Sequence, residues 1–384
     1  MLVQFCFFSA YFLISIPAGA IIQRVGYKAG IVTGLILASI GCLCFYPSAE
    51  LQSYPMFLFS LFILASGVTF LQVAANPFIT LLGPSSTAAI RLTIAQACNS
   101  IGTTIAPFIG GYFIFSQLVS PANTTQNVTT AEFANITLQN TQLVQTPYLV
   151  LAVILILFAV FVSTTTFSDV GKELIEDNLP AKVSEVTHVN INMLFHNRKL
   201  LLGAVAIFCY VGAEVAIGSF LVTFISQENI GNISLNEAAF YVPFYWGGAL
   251  VGRLLGALFM PYFTTNKILT FNSAIAATLI FITIFSSGYT SMITVLLIGL
   301  FNSIMFPTIF SLALDGLGKL TVQGSSILCL SIVGGAVIPT LQGVLADLFT
   351  IQSAFILPAL CYLYVMFFAI TTLSNQTISK QITK

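Results

Sequence analysis

Asn76-Pro77, followed by Ser100-Ile101-Gly102 and Ile105-Ala106-Pro107, is met again in the same order as Phe306-Pro307, Ser331-Ile332-Val333 and Val337-Ile338-Pro339. The paired prolines lie 230 and 232 residues apart, and Arg24 precedes Arg253 by 229. A near-constant offset between helix-breaking positions marks an internal repeat, and two parallel copies about an axis along the membrane normal give a two-bundle membrane architecture.

Composition says what the repeat is made of. Of 384 residues, 57% are hydrophobic and 6% charged, with 35 Phe and a mean hydropathy of +0.99. Soluble domains carry about a quarter charged residues, so the solvent here is lipid. Hydrophobic segments recur at 2–20, 29–47, 55–81, 89–116, 146–167, 199–225, 237–261, 266–287, 290–313, 322–346 and 353–374. Each is long enough for the ~30 Å hydrocarbon layer at 1.5 Å per residue. All twelve Lys and Arg fall in or beside alternate connections: Arg24 and Lys28, Arg91, Lys172, Lys182, Arg198 and Lys199, Arg253 and Lys267, Lys319, then Lys380 and Lys384. Connections 48–54, 117–145, 226–236 and 288–290 carry none. The positive-inside rule makes the basic side cytoplasmic and puts the C-terminus there. The formal net charge is zero, which points to no nucleic-acid partner. The first span has no basic n-region and no small-residue cleavage site, so it reads as a retained helix.

The expected fold is an all-α polytopic protein of two pseudo-symmetric helix bundles, 1–167 and 199–376, joined by a cytoplasmic linker, 168–198. Six helices are expected in each half. Mapping the sixth span back by the repeat offset falls before Met1, so the first half is expected to hold five helices and to lack its first one. A shortened gene or fragment accounts for that, as does an eleven-span protein.

Glu214 is the only carboxylate well inside a span. A charge there costs about 2.5–3.5 kcal/mol on insertion scales, so such a residue faces a cavity or bonds a neighbouring helix. Loss of water favours the protonated acid, which suits a group that takes up and releases a proton. Tyr210 lies one turn away on the same face. Thr69, Gln72, Asn76 and Thr80 share one face of the third span, where Pro77 is expected to open the backbone. Gln96, Asn99 and Thr103 form a second stripe, and Asn302 and Trp246 are weaker candidates. Amides offer donors and acceptors to hydroxyl groups without an ionic penalty; the same groups also serve as hydrogen-bonding links between helices. The seven cysteines read as small apolar fillers, and His188 and His196 lie in the linker, so no metal site is indicated. Three sequons, Asn123, Asn127 and Asn135, lie in the loop 117–145. No Walker motif, nucleophile elbow or His-Glu-x-x-His pattern occurs.

The stretch Leu71-Gln72-Val73-Ala74-Ala75-Asn76-Pro77-Phe78-Ile79 with Leu82-Gly83-Pro84, then Arg91-Leu92, Ala95-Gln96 and Asn99 to Pro107, is specific. On these residues, from residue 3 to about 372, the chain resembles the fucose:proton symporter family of the major facilitator superfamily, and within it the bacterial glucose/galactose transporters. Tyr11-Phe12, Ile16 to Gly19, Gly26 to Ile31, Cys209 to Glu214 and Phe306 to Phe310 add to the likeness. Fucose permeases carry a carboxylate where Gln72 stands and a tyrosine where Phe306 stands; Gln72 and Glu214 are as in glucose/galactose members. The family loop Gly-x-x-x-Asp-Arg-x-Gly-Arg-Arg is here Gly19-Ala20-Ile21-Ile22-Gln23-Arg24-Val25-Gly26-Tyr27-Lys28, so the acid of the latch is gone.

The resemblance implies a secondary active sugar transporter of the bacterial inner membrane that is not an enzyme. Its substrate is a monosaccharide, glucose or galactose, with fucose as the alternative. Its partners are a coupling cation, H+ or Na+, and the lipid bilayer; no cofactor is needed and the chain acts as a monomer. Gln72, Asn76, Gln96, Asn99, Tyr210 and Asn302 are the expected substrate contacts, Glu214 the coupling group, and Arg24, Arg91 and Arg253 the conformational latch. A sugar sensor that does not transport is the reading from another class, and a membrane enzyme lacks its paired acids or metal ligands.

Overall fold

A chain whose backbone lies in hydrocarbon must satisfy its N–H and C=O groups within itself, and the helix does so locally. The computed structural model describes residues 2–114, 143–165, 194 and 196–382, and among these every regular element is helical. The helices are α1 (Leu2–Glu50), α2 (Tyr54–Leu81), α3 (Ala88–Ile114), α4 (Gln145–Thr164), α5 (Arg198–Ile225), α6 (Leu235–Ala239) and α7 (Val242–Phe259). There follow α8 (Thr265–Phe285), α9 (Gly288–Asn302), α10 (Met305–Leu314), α11 (Thr321–Leu330), α12 (Gly334–Leu348), α13 (Ile351–Ala354) and α14 (Ile356–Ile382). Nine helical stretches among the described residues are long and apolar enough to cross a membrane. The sequons at Asn123, Asn127 and Asn135, and Lys172, Lys182 and His188 of the expected linker, lie outside the described residues.

The first two expected spans are one helical stretch of 49 residues, bent where Gly26 takes φ 85° and ψ 167°. The connection is a single residue because Gly26 adopts a conformation nearly closed to any residue with a Cβ. An added Cβ would meet nothing within 4 Å, so the backbone angle and not crowding demands glycine.

The ninth span is broken between α9 and α10 at Ser303-Ile304, and Pro307 falls in the first turn of α10, where its missing N–H costs nothing. The tenth is broken by a 3-10 turn, Ser331–Val333, between α11 and α12. Pro77 behaves differently from the expectation: α2 continues through it to Leu81. The helix ends within four residues, so little of it lies beyond the proline.

The chain divides into two compact units, Leu2–Ala75 with Ile105–Thr166, and Asn76–Thr104 with Phe167–Lys384. In the first, α1 packs along α4, with Phe45 stacked on Tyr148 at 3.9 Å. Gly41 lies against the backbone of Leu64, and Gly67 against that of Ala38. In the second, α5 packs on α10, α12 and α14, α7 on α9, and α8 on α9 and α14. Gly252 of α7 abuts Leu300 and Ser303, and Gly334 of α12 abuts the Phe208 carbonyl. Such contacts are how helices associate where lipid removes the hydrophobic driving force between them. The outer faces carry Leu157, Phe161 and Phe285, each more than 60% exposed, as a lipid-facing surface requires.

Gly26→Ala is expected to cost about 1–3 kcal/mol, the usual penalty of a backbone region closed to Cβ. Gly102→Ala, in open space with ordinary helical angles, is expected to be neutral or slightly stabilising. Thermal unfolding of the two detergent-solubilised variants, compared with the parent, checks the pair.

Candidate functional site

Tyr210, Glu214, Tyr245, Asn302 and Tyr362 come together inside the second unit from α5, α7, α9 and α14. Helical spacing puts Tyr210 and Glu214 on one face of α5. Asn302 ends α9, where the span breaks, and its side chain is fully buried. Its amide nitrogen donates to the Tyr245 hydroxyl at 2.9 Å and the Tyr362 hydroxyl at 3.2 Å. Tyr245 in turn donates to the Glu214 main-chain carbonyl at 3.2 Å. The side chains of Tyr210 and Glu214 interact. Even so, the Tyr210 hydroxyl, Glu214 Oε1 and Asn302 Oδ1 have no aligned hydrogen-bond partner among the described residues. Three buried oxygens with spare capacity lie on one network, suited to a ligand that brings hydroxyl or N–H donors.

Arg253 supplies the positive charge acting on Glu214. It is only 7% exposed, with Nε donating to the Ser303 carbonyl at 3.0 Å and Nη1 to the Gln96 carbonyl at 3.1 Å and to Ser100 Oγ. The sequence placed Arg253 beside a cytoplasmic connection; it lies inside α7, six residues short of the helix end at Phe259. Gln96 enters through its backbone carbonyl.

The other expected residues are elsewhere. Gln72 donates to the Tyr11 hydroxyl at 3.2 Å in the first unit. Asn76 is buried at 5% exposure, Asn99 is exposed, and Arg24 is exposed. Arg91 folds back on the end of α2: Nε to Ile79, Nη2 to Thr80 and Gly83, Nη1 to Pro84 and the Thr87 hydroxyl, at 2.6 to 3.2 Å. All five guanidinium donors are used, four on carbonyls at a helix C-terminus, where a cation is favoured. Trp246 packs edge-on against Tyr245 at 5.3 Å, beside the cluster.

Tyr245, Tyr362 and Ser100 are partners that sequence reasoning did not assign. Ser100 stood inside a quoted motif; the two tyrosines are among 13 and carry no spacing that sets them apart. A groove of about 370 Å³ between α7 and α9, lined by Tyr241, Phe244, Val251 and Leu297 among others, is almost wholly apolar and offers a hydrophilic ligand nothing. Among the described residues no group of three His, Cys, Asp or Glu could hold a metal ion.

A two-bundle helical fold with a buried acid and amide network defines a multi-pass membrane transporter. Residues 1–329 match the family model of the Major Facilitator Superfamily, and the chain belongs to that family. It is 48% identical over 370 residues to a glucose/galactose transporter of Brucella abortus, covering 96% of this chain and 84% of the relative. It is 35% identical over 374 residues to the L-fucose-proton symporter of Escherichia coli, covering 96% and 83%. The crystal structure of the family transporter FucP in the outward conformation matches with a TM-score of 0.87 at 34% identity, covering 97% of this chain and 89% of that one.

Asn302→Leu keeps the volume of the side chain and removes the donor shared by Tyr245 and Tyr362. It is expected to cost about 1–3 kcal/mol for the hydroxyls left unmatched. Tyr289→Phe, 73% exposed, is expected to change nothing. Denaturation followed by tryptophan emission, with Trp246 beside the network, reads both.

Proposed function

We propose that this protein is a secondary active sugar transporter that brings glucose or galactose into the cell with a coupling cation, taken as H+, by alternating access. The observation that carries the reading is the Glu214 network: a carboxylate, an amide and a phenol buried together inside a membrane bundle, with oxygen atoms that have hydrogen-bonding capacity to spare. The likeness to a glucose/galactose transporter supports the substrate, and the likeness to an L-fucose-proton symporter supports the cation. One charge moving through 100 mV supplies about 2.3 kcal/mol, enough for about fifty-fold accumulation.

In this reading the bundles are 1–167 and 199–376, the chain lies in a bacterial inner membrane with its C-terminus in the cytoplasm, and it acts as a monomer. The proposed sugar contacts are Tyr210, Asn302, Asn76, Gln96 and Asn99 in one compact unit, and Gln72 in the other, each taken by itself. Arg253 is the tie released during the cycle, because its bonds to Gln96 and Ser100 join α7 to α3. Arg91 acts by holding the end of α2, and Arg24 retains the latch role assigned from its loop. Sodium is the alternative coupling cation in this reading.

The second reading, L-fucose, rests on the fold shared with FucP. Gln72 in place of a carboxylate and Phe306 in place of tyrosine weigh against it. Labelled galactose uptake into membrane vesicles carrying the protein is expected to be competed more strongly by glucose than by fucose; the reverse order would make fucose the substrate.

Glu214→Gln keeps the side chain's shape and holds it neutral. Uphill accumulation is expected to vanish while sugar exchange between the two faces survives, measured in vesicles with and without an imposed proton gradient. Unchanged uphill uptake would make Glu214 a structural residue, and loss of exchange as well would put it on the sugar.

A further inference from the structure

Seven cysteines are scattered over the chain, and two of them meet. The side chains of Cys209 on α5 and Cys361 on α14 are within hydrogen-bonding reach of each other. The packing of the two antiparallel helices leads to the same pairing. Tyr364 Oη donates to the Leu202 carbonyl at 3.4 Å, a Cβ on Gly203 would lie 3.5 Å from Phe368, and Phe224 meets Phe355 at 4.9 Å between ring centroids. Between these contacts, ascending α5 brings Cys209 to the level that Cys361 occupies on descending α14. Cys361 is buried and Cys209 half-buried, so one member is open to a small reagent.

Each cysteine also directly precedes a tyrosine of the polar network, Tyr210 on one helix and Tyr362 on the other. Packed helix axes stand about 8–10 Å apart with Cα atoms about 2.3 Å from each axis, so facing residues come near the roughly 4.4–6.8 Å between Cα atoms that a disulfide spans, and closing the bond fixes the two backbones at this level. The tyrosines on either side move with them.

We propose that Cys209 and Cys361 form a modification site, a membrane-embedded dithiol that a small lipid-soluble disulfide oxidises to an interhelical disulfide, clamping the Tyr210–Glu214–Tyr362 network. Cys209 Sγ attacks one sulfur of the reagent, forming a mixed disulfide and releasing one reagent thiol that takes the Cys209 proton. Cys361 Sγ then attacks Cys209 Sγ, closing the protein disulfide and releasing the second reagent thiol with the Cys361 proton. The two protein thiols lose two electrons and the reagent gains them. The effect on transport rests on the sugar-transport reading; the chemistry does not.

The test treats the protein in lipid vesicles with a neutral aromatic disulfide and follows two signals. Peptide mapping by mass spectrometry is expected to find a peptide joined through Cys209 and Cys361, which dithiothreitol separates. Uphill sugar uptake is expected to be mostly lost on oxidation and regained on reduction. Cys209→Ser and Cys361→Ser should each abolish the effect, whereas Cys98→Ser, at an exposed thiol, should leave it intact. Mixed disulfides at Cys98 or Cys209 without the joined peptide would overturn the site, and a joined peptide with unchanged uptake would overturn the clamp. If the parent takes up no sugar at all, the sugar reading fails. The joined peptide and a reversible shift in melting temperature, absent in both serine variants, then decide the site alone.

Discussion

A guanidinium buried inside a membrane helix needs acceptors that the helix itself does not provide, and Arg253 finds them at a break in another. The interruption of the ninth span at Ser303-Ile304 makes the Ser303 carbonyl available to Nε of Arg253. Gly252, the preceding residue, allows that approach: with no Cβ it lies directly against Leu300 and Ser303. Neither feature stands alone. A broken helix in hydrocarbon leaves carbonyls unsatisfied, and a buried charge costs several kcal/mol unless hydrogen-bonded, but each bond between a charged donor and a carbonyl contributes about 1.5–3 kcal/mol. The same side chain bonds the Gln96 carbonyl and Ser100 Oγ, so the break in α9–α10 and the path of α3 are held by one residue.

That arrangement separates what the sequence makes legible from what it does not. Apolar runs and alternate basic connections are bulk properties, dictated by the thickness and charge preference of a bilayer, and they appear directly in composition. Glu214 is legible for the same reason, since a carboxylate amid apolar residues is costly enough to mark a polar interior by itself. Arg24 and Arg253 look like a matched pair because their spacing follows the repeat, yet Arg24 is exposed and Arg253 is buried. A residue's depth along a helix depends on where the helix ends, and α7 runs on to Phe259. Arg91 has a visible cue in Gly83-Pro84, a chain reversal just ahead of it, but its role as a cap depends on α2 ending at Leu81 despite Pro77. Tyr245 and Tyr362 are illegible because an aromatic ring in an apolar span is most often packing; only the position of Asn302 between the two hydroxyls makes them polar partners.

The network has more acceptors than donors, and this bears on how a proton could govern it. Both hydrogens of the Asn302 amide are taken by Tyr245 and Tyr362, and the hydrogen of Tyr245 goes to the Glu214 main chain. What remains are the hydroxyl hydrogens of Tyr210 and Tyr362, and Tyr210 lies beside Glu214, whose Oε1 has no aligned partner among the described residues. An ionised Glu214 can only accept, so it takes the Tyr210 hydrogen and draws on the charge of Arg253. A protonated Glu214 becomes a donor and can satisfy an oxygen that otherwise has none, leaving Arg253 bound to Ser303, Gln96 and Ser100 alone. Adding or removing one proton therefore exchanges two hydrogen-bond patterns within the network. In the proposed mechanism this exchange reaches α3 through the same guanidinium that holds it, a physical route from a buried acid to the packing of a neighbouring helix.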